Sequence, residues 1–548
     1  MGNILKKETI VFKWDIFSLF LLVFIFILQI IKLPSYPLFL DAYYHLSVML
    51  GFDQSGGYTT HAFWEAAPFG RAHLYPPLLH IVMLLFYKLG LSKLAILKAM
   101  DFVLYPAGLF IIWFIFRKII SKSFAFFALL TAASSYTFYL SFVNTHAASL
   151  ALLICLGTFY HIYQRKIPSS VMLFGLSFYA HLGISGLFMI VFVIYGLLNR
   201  DSLKYCLFTV LGGVVIALPM LIYFYNFRGY FQFYALAENY QIVINLLIYL
   251  AAFLGLGIFL RKKKSYSFFL ALSLGMLPMV FNYRFRYFCF QGLLAYVLLC
   301  SVFLNEACLR IKGRIGKDIF IFGAIILLFF VSPVLNIGGN TIKADIFGSN
   351  LAGQFKTFNI LKGEQANRLI DKINLRNITV YDYRLFNEIV EIIKDNSDKD
   401  DIIYSDFNYA GGGLGAFSGR AISHTMFREI KPFKDSDPVA CAKIIILFKE
   451  QDGFLGFKSI KLINRYKLEH IADTDLVSIY LNPSAEGKRN IAPPVISTPI
   501  LFAVFFIYVL LLVILSRKKR KGMYTPIDSL INVTEEGRGK SSCGQSEY

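Results

Sequence analysis

The chain has 548 residues, of which 57% are hydrophobic, 17% aromatic and only 16% charged. A soluble domain carries roughly 25% charged residues, so this composition excludes a purely soluble protein. The formal net charge is +20, and much of the basic excess lies in short clusters between apolar runs: Arg117-Lys118, Arg165-Lys166, Arg261 to Lys264, Arg310 to Lys317 and Arg517 to Lys521. Cytoplasmic loops look like this, and a nucleic-acid surface does not.

A membrane-crossing helix needs about 20 apolar residues. The first apolar run, residues 16–33, has no small-residue cleavage site after it and passes through Pro34-Ser-Tyr-Pro37 into Asp41-Ala-Tyr-Tyr-His45. It reads as an anchor and not as a signal peptide. Further spans are expected at 95–116, 123–142, 146–163, 203–224, 241–260, 266–281, 286–305, 318–335 and 497–516. Residues 75–89 are short and interrupted by His80, while residues 169–199 are long for one span and tight for two.

Loop charge arbitrates. Lys6, Lys7 and Lys13 place the N-terminus inside. With 75–89 as an interfacial or re-entrant helix on the outer side, and 169–180 and 183–198 as two crossings around His181, every basic cluster falls inside, including Arg200 and Lys204. The expected architecture is a polytopic α-helical membrane protein with twelve crossings in residues 1–335 and 497–516, and a first outer loop at 34–94. Residues 336–496 form an extracytoplasmic α/β domain, since helical spacing at Phe386 to Lys394 alternates with β-rich runs at 401–404, 443–447 and 476–481. Ala410-Gly-Gly-Gly-Leu-Gly415 lacks the Lys-Ser/Thr of a phosphate loop and reads as a flexible turn. Residues 517–548 are expected to be a basic, disordered cytoplasmic tail. The seven cysteines are scattered, Cys441 is alone in the large polar segment, and no Cys/His spacing suggests zinc.

On this topology the outer side receives Asp41, Asn144-Thr-His146, His181, Glu238, Arg284 and Arg286. Polar groups near a membrane are costly, so their gathering on one face favours a site. Asp41 fits a helix N-cap, and equally a divalent-metal ligand, a base or an electrostatic stabiliser. His45, four residues on, shares its face if the stretch is helical, and either orients Asp41, contacts a phosphate or makes an interfacial hydrogen bond. Asn144 and His146 offer an amide oxygen and an imidazole two residues apart; they suit a metal, with the imidazole tilting preference to Mn²⁺, or a helix cap. Glu238 lies in an outer loop, where it meets an acceptor, the surroundings of a metal, or solvent. Arg284 and Arg286 suit a phosphate, or snorkel to lipid headgroups.

With these residues in view, the chain resembles a C-type (GT-C) membrane glycosyltransferase, and within that superfamily the catalytic subunit of archaeal and bacterial oligosaccharyltransferase. Asp41-Ala-Tyr-Tyr-His-Leu46 resembles the first acidic motif. Ala67-Pro-Phe-Gly-Arg-Ala-His-Leu-Tyr-Pro-Pro77 is similar to the Pro-Leu-Gly-Arg stretch and its following Tyr-Pro. Asn144-Thr-His146 falls where the family has two acids separated by one residue, Ala235-Leu-Ala-Glu238 resembles the loop motif ending in Glu, and Tyr283-Arg-Phe-Arg286 falls where an arginine approaches the lipid pyrophosphate. Both acids of the second motif are replaced, and no Trp-Trp-Asp motif is present: the only tryptophans are Trp14, Trp64 and Trp113.

The resemblance implies an integral membrane enzyme, in the plasma membrane of an archaeon or bacterium, that transfers a sugar or oligosaccharide from a polyprenyl-phosphate-linked donor on the extracytoplasmic side. The acceptor would be a protein or lipid. It implies Asp41 and Glu238 as catalytic residues, Arg284, Arg286 and His45 at the donor phosphate, and a Mn²⁺ or Mg²⁺ ion on Asp41, Asn144 and His146. Membrane lipids are the other expected partners, and nucleic acid is not. A catalytically silent glycan-lipid binder and a transporter or flippase are the alternatives; the second predicts polar groups near the bilayer midplane.

Overall fold

The computed structural model describes residues 2–33, 41–232, 242–261, 263–331, 333–338, 341–345, 383–426, 429–449 and 454–517. Glu238 and the tail after Arg517 lie outside the described residues.

The chain opens with α1 (Gly2–Lys32) and α2 (Asp41–Ser55), followed by two-residue strands β1 (Gly57–Tyr58), β2 (His61–Ala62) and β3 (Arg71–Ala72), then α3 (Leu78–Lys88). A helical run follows: α4 (Lys93–Ile119), α5 (Lys122–Ser134), α6 (Tyr136–Asn144), α7 (His146–Tyr163), α8 (Ile167–Ala180), α9 (Leu182–Leu198) and α10 (Arg200–Asn226). Next come β4 (Ile242–Asn245), α11 (Leu246–Arg261), α12 (Lys263–Met276), α13 (Met279–Asn282), α14 (Arg284–Cys289), α15 (Leu293–Arg310) and α16 (Arg314–Ile326).

Among the described residues, six helices are long and apolar enough to cross a membrane: Trp14–Lys32, Lys93–Ile119, His146–Tyr163, Arg200–Asn226, Arg284–Arg310 and Thr498–Arg517. Helices α5 and α6 pass the same test together, with a bend of 73° between them. The bend sits at Ser135, which ends α5 and whose hydroxyl accepts from Phe138 N at 3.2 Å to start α6. Five shorter apolar helices add to the bundle, among them α3, α8 and α9. Helices α8 and α9 part at His181, whose Nδ1 accepts from Ile184 N at 3.2 Å and caps α9. The apolar stretch 169–199 is thus two short helices, as its length suggests. The span expected at 241–260 begins as strand β4. That at 318–335 gives way to β5 (Val334–Gly338), which lies between β4 and β6 (Thr341–Asp345). Large apolar side chains such as Phe20, Phe208 and Leu510 stand exposed on helices long and apolar enough to span, as hydrocarbon-facing positions do.

After α17 (Tyr383–Asp395) come β7 (Ile402–Ser405), α18 (Asn408–Ser418), β8 (Ala421–Ile422), β9 (Ile444–Phe448), α19 (Phe457–Tyr466), β10 (Glu469–Asp473) and β11 (Val477–Leu481), then β12 (Ile496–Ser497) and α20 (Thr498–Arg517). Five strands form one mixed sheet in the order β10-β11-β9-β7-β8. Strand β9 is central and buried at every position, and reads accordingly as the unbroken run Ile-Ile-Ile-Leu-Phe.

The Gly-rich stretch 410–415, expected as a flexible turn, is instead the middle of helix α18. Burial of Ala410, Leu414 and Ala416 on the domain core outweighs the low helix propensity of glycine, and Gly419 ends the helix in the left-handed conformation at φ 77°. The absence of side chains lets α2 come close. Ser47 Oγ donates to Gly412 O at 3.1 Å, and a Cβ on Gly413 would meet the Tyr43 ring at 3.2 Å. Tyr43, Phe52 and Trp64 share one apolar core with Ile389, Ile403, Leu414 and Ile446. Helix α2 and the loop after it are therefore built into the α/β domain, and the start of α2 lies at its junction with the helical bundle.

Candidate active site at the start of helix α2

Asp41 is the first residue of α2 and is half-buried. Burial pushes its carboxyl up to about 6; the charges of Arg286 and His146 oppose this and that of Glu429 adds to it. Groups from α14, from α7 and from the segment after β8 thus face one carboxylate.

One turn along α2, His45 is buried, and its Nδ1 lies 3.0 Å from His80 Nε2 on α3. Its ring meets Tyr75 edge-on at 5.3 Å and His146 at 6.0 Å between centroids. Burial, with the imidazole of His80 next, pushes His45 well below the ordinary histidine value, so it is neutral. A neutral ring turned toward His80 is better suited to fixing the first turn of α2 than to holding a phosphate. Tyr75 also packs on Tyr44 at 5.6 Å and on His181 at 6.3 Å.

Asn144 ends α6 and is half-buried, while His146 opens α7 and is buried. Between them Thr145 Oγ1 accepts from Gln291 Nε2 at 2.7 Å, which ties the break to the start of α15. His146 Nε2 is hydrogen-bonded to the Asp101 carboxylate on α4, and the two side chains are 1% and 0% exposed. Asp101 was not singled out from the sequence; the available signal was a lone acid inside the apolar run 95–116, where an ionisable group points to function. It supplies, from another helix, an acid that the Asn144-Thr-His146 stretch lacks.

The metal ligands expected from the resemblance are Asp41, Asn144 and His146, of which His146 keeps Nδ1 buried without a hydrogen-bond partner. Among the described residues no group of three or more His, Cys, Asp and Glu side chains is placed to hold an ion. His146 has already committed Nε2 to Asp101.

Arg286 lies on α14, half-buried, its guanidinium 5.3 Å from the Tyr283 ring centroid and its Nε buried without a hydrogen-bond partner. Its charge acts on Asp41, Tyr75 and His181. Arg284, two residues earlier, is exposed. The structure therefore brings together Asp41, His45, His146 and Arg286, with Arg284 exposed two residues before Arg286.

The loop between α2 and α3 forms the wall of this site. Arg71 donates to Glu65 at 2.7 Å, with the pair 1% and 0% exposed, and Glu65 Oε2 accepts from Met426 N at 3.0 Å. A buried ion pair holds only when its remaining hydrogen-bonding positions are served. Gly70 allows the tight return between these residues: its φ is 69°, and a Cβ there would strike the His61 ring at 2.2 Å.

No protein-family profile matches the sequence, and no curated protein sequence matches it. Solved structures do match. The Archaeoglobus fulgidus oligosaccharyltransferase tethered to an acceptor peptide containing the NVT sequon aligns with a TM-score of 0.51 at 11% identity, over 85% of this chain and 74% of that chain. The two share a fold. ArnT from Cupriavidus metallidurans bound to undecaprenyl phosphate aligns with a TM-score of 0.49 at 12% identity, over 86% of this chain and 99% of that chain. Both of those proteins are GT-C glycosyltransferases, and at 11% identity the likeness to the first speaks for the fold.

Proposed function

We propose that this protein is a membrane glycosyltransferase that moves a sugar or oligosaccharide from a polyprenyl-phosphate-linked donor to an acceptor on the extracytoplasmic side. The observation that carries the proposal is the meeting of Asp41, Arg286 and the Asp101–His146 pair, drawn from α2, α14, α4 and α7. The shared fold with an oligosaccharyltransferase supports it. The sidedness rests on the basic clusters, which fall on one side when the outer loop and Asp41 are placed on the other.

In this reading the half-buried Arg286 holds the donor phosphate, and its unpartnered Nε is available for one of two parallel N–H···O bonds. The acceptor heteroatom attacks the anomeric carbon, and the bond from that carbon to the phosphate oxygen breaks with its electron pair on the phosphate. Arg286 stabilises that charge. The acceptor proton passes to Asp41, which burial holds near 6, ionised at neutral pH yet basic enough to take a proton. His146, kept in place by Asp101, packs at the same site beside His45. No step is routed through a metal ion.

The test is to reconstitute purified protein in vesicles with a polyprenyl-phosphate-linked sugar labelled in the sugar and a panel of hydroxyl- and amide-bearing acceptors. Cleavage of the label from the lipid, with release of the lipid phosphate, is expected. Donor that moves between leaflets without cleavage would instead show a flippase.

A further inference from the structure

Three of the helices long and apolar enough to cross a membrane have an end at one place. Helix α7 finishes at Tyr163, α10 starts at Arg200 and α20 finishes at Arg517. These ends meet around the start of α8. Lys166, the residue before α8, donates from Nζ to Ser516 O at the end of α20 at 2.5 Å. Deeper in the bundle the hydroxyls of Ser170 on α8 and Thr209 on α10 are 2.7 Å apart, and Tyr508 on α20 donates to Met172 O on α8 at 2.5 Å. Helix α7 begins at His146 in the Asp41 site, so this place lies at the opposite end of that helix.

The place is strongly basic. Residues 160–210 and 498–517 carry Arg165, Lys166, Arg200, Lys204 and Arg517, and Asp201 is the only acid in those stretches. Two of the cations share one ring. Tyr205 is buried, and the Arg165 guanidinium and the Lys204 ammonium stand 5.5 and 5.2 Å from its centroid. Arg165 arrives there at a backbone cost. At the end of α7, Lys166 N donates to His161 O and Arg165 N donates to Ile162 O, both at 2.9 Å. This pairing holds Arg165 in the left-handed conformation, at φ 58°, where glycine is the usual residue. Gathering positive charge on one side of a membrane needs no arginine at a glycine position.

The surface beside the cations is apolar. Phe208 and Leu211 follow Lys204 on the same face of α10, and Leu510 and Ile514 precede Arg517 on α20; all four stand exposed. We propose that the ends of α7, α10 and α20 form a binding site for an anionic membrane phospholipid. Arg165 and Lys204 take the headgroup phosphate, and the acyl chains lie along the exposed apolar faces of α10 and α20. The guanidinium offers two parallel N–H donors to the phosphate oxygens, and the ammonium adds a point charge. A bound anion also offsets the repulsion between two cations held at one ring. A free phosphate would meet the cations and leave the apolar surface uncovered. This site goes beyond the glycosyltransferase reading and does not depend on it.

Native mass spectrometry of the full-length protein in neutral detergent tests the site, by following bound lipid against added phosphatidylglycerol, phosphatidylcholine or inorganic phosphate. Phosphatidylglycerol is expected to bind more tightly than phosphatidylcholine, and to stay bound when inorganic phosphate is added at the same concentration. Arg165→Gly and Lys204→Gln should each weaken phosphatidylglycerol binding about fivefold, the scale of one basic side chain at an anionic lipid surface. Arg165→Gly also relaxes the left-handed residue, so its thermal midpoint without lipid should match or exceed that of wild type while its lipid affinity falls. A lower midpoint with wild-type lipid affinity would show Arg165 to be structural and overturn its role. Lys312→Gln, in the basic stretch between α15 and α16, should bind lipid as wild type does. Wild-type affinity in both Arg165→Gly and Lys204→Gln, or an equal loss in Lys312→Gln, would overturn the site. Displacement of phosphatidylglycerol by inorganic phosphate at equal concentration would overturn the lipid assignment in favour of a free anion.

Discussion

Asp41 carries its charge at neutral pH against the pull of burial. Its carboxyl, ordinarily at 3.8, is raised to about 6 in the folded protein. Between those values the folded state binds more protons than the unfolded chain, so stability falls as pH rises through that window and stays lower above it. Asp41→Asn should therefore raise stability at pH 7 by up to roughly 3 kcal/mol, read as a higher thermal midpoint, and give no gain below about pH 4. A midpoint difference independent of pH would contradict this. His146→Ala should act in the opposite direction, losing a hydrogen bond to the buried Asp101 carboxylate for about 1.5–3 kcal/mol. At this scale the sequence exposes part of the site. Asp41, His146 and Arg286 stand out as polar groups near apolar runs, and they meet. Asp101 does not stand out, because it is hidden within an apolar run and meets His146 only through the packing of α4 on α7.

At the scale of elements, the site depends on how closely α2 approaches the α/β domain. Gly51 on α2 has no room for a side chain: a Cβ would lie 2.0 Å from the Trp64 ring. Gly51→Ala should cost about 1–3 kcal/mol as an overpacked contact. It should also shift tryptophan emission, since Trp64, 5% exposed, must move. An unshifted spectrum and midpoint would show that α2 and the loop are less closely packed than described. Apolar length predicts the break at His181, while of the twelve crossings expected six helices among the described residues are long and apolar enough to span, or seven with the bent pair α5–α6. Local pattern fails at the Gly-rich stretch 410–415, where packing against α2 and the domain core, both remote in sequence, decides for helix over turn. The same holds at Ile242–Asn245, where pairing of β4 with β5 turns the start of an apolar run into strand.

At the scale of the whole molecule, the basic clusters predict a sidedness that a labelling experiment reads directly. Glu391→Cys on α17, in intact cells, should react with an impermeant maleimide. Lys312→Cys, between α15 and α16, should react only after permeabilisation. Both positions are exposed, and the reverse pattern would place the α/β domain and Asp41 on the cytoplasmic side. The central claim, that Asp41 and Arg286 transfer a sugar from a lipid phosphate, is tested most directly by donor cleavage under single-turnover conditions. Wild type, Asp41→Asn and Arg286→Ala would be compared across pH. Wild-type cleavage should fall as pH drops through about 6, as Asp41 takes up its proton. Asp41→Asn should lose about a hundredfold or more in the chemical step, as removal of a general base does. Arg286→Ala should lose affinity for the lipid phosphate. Cleavage by Asp41→Asn at the wild-type rate would contradict the account.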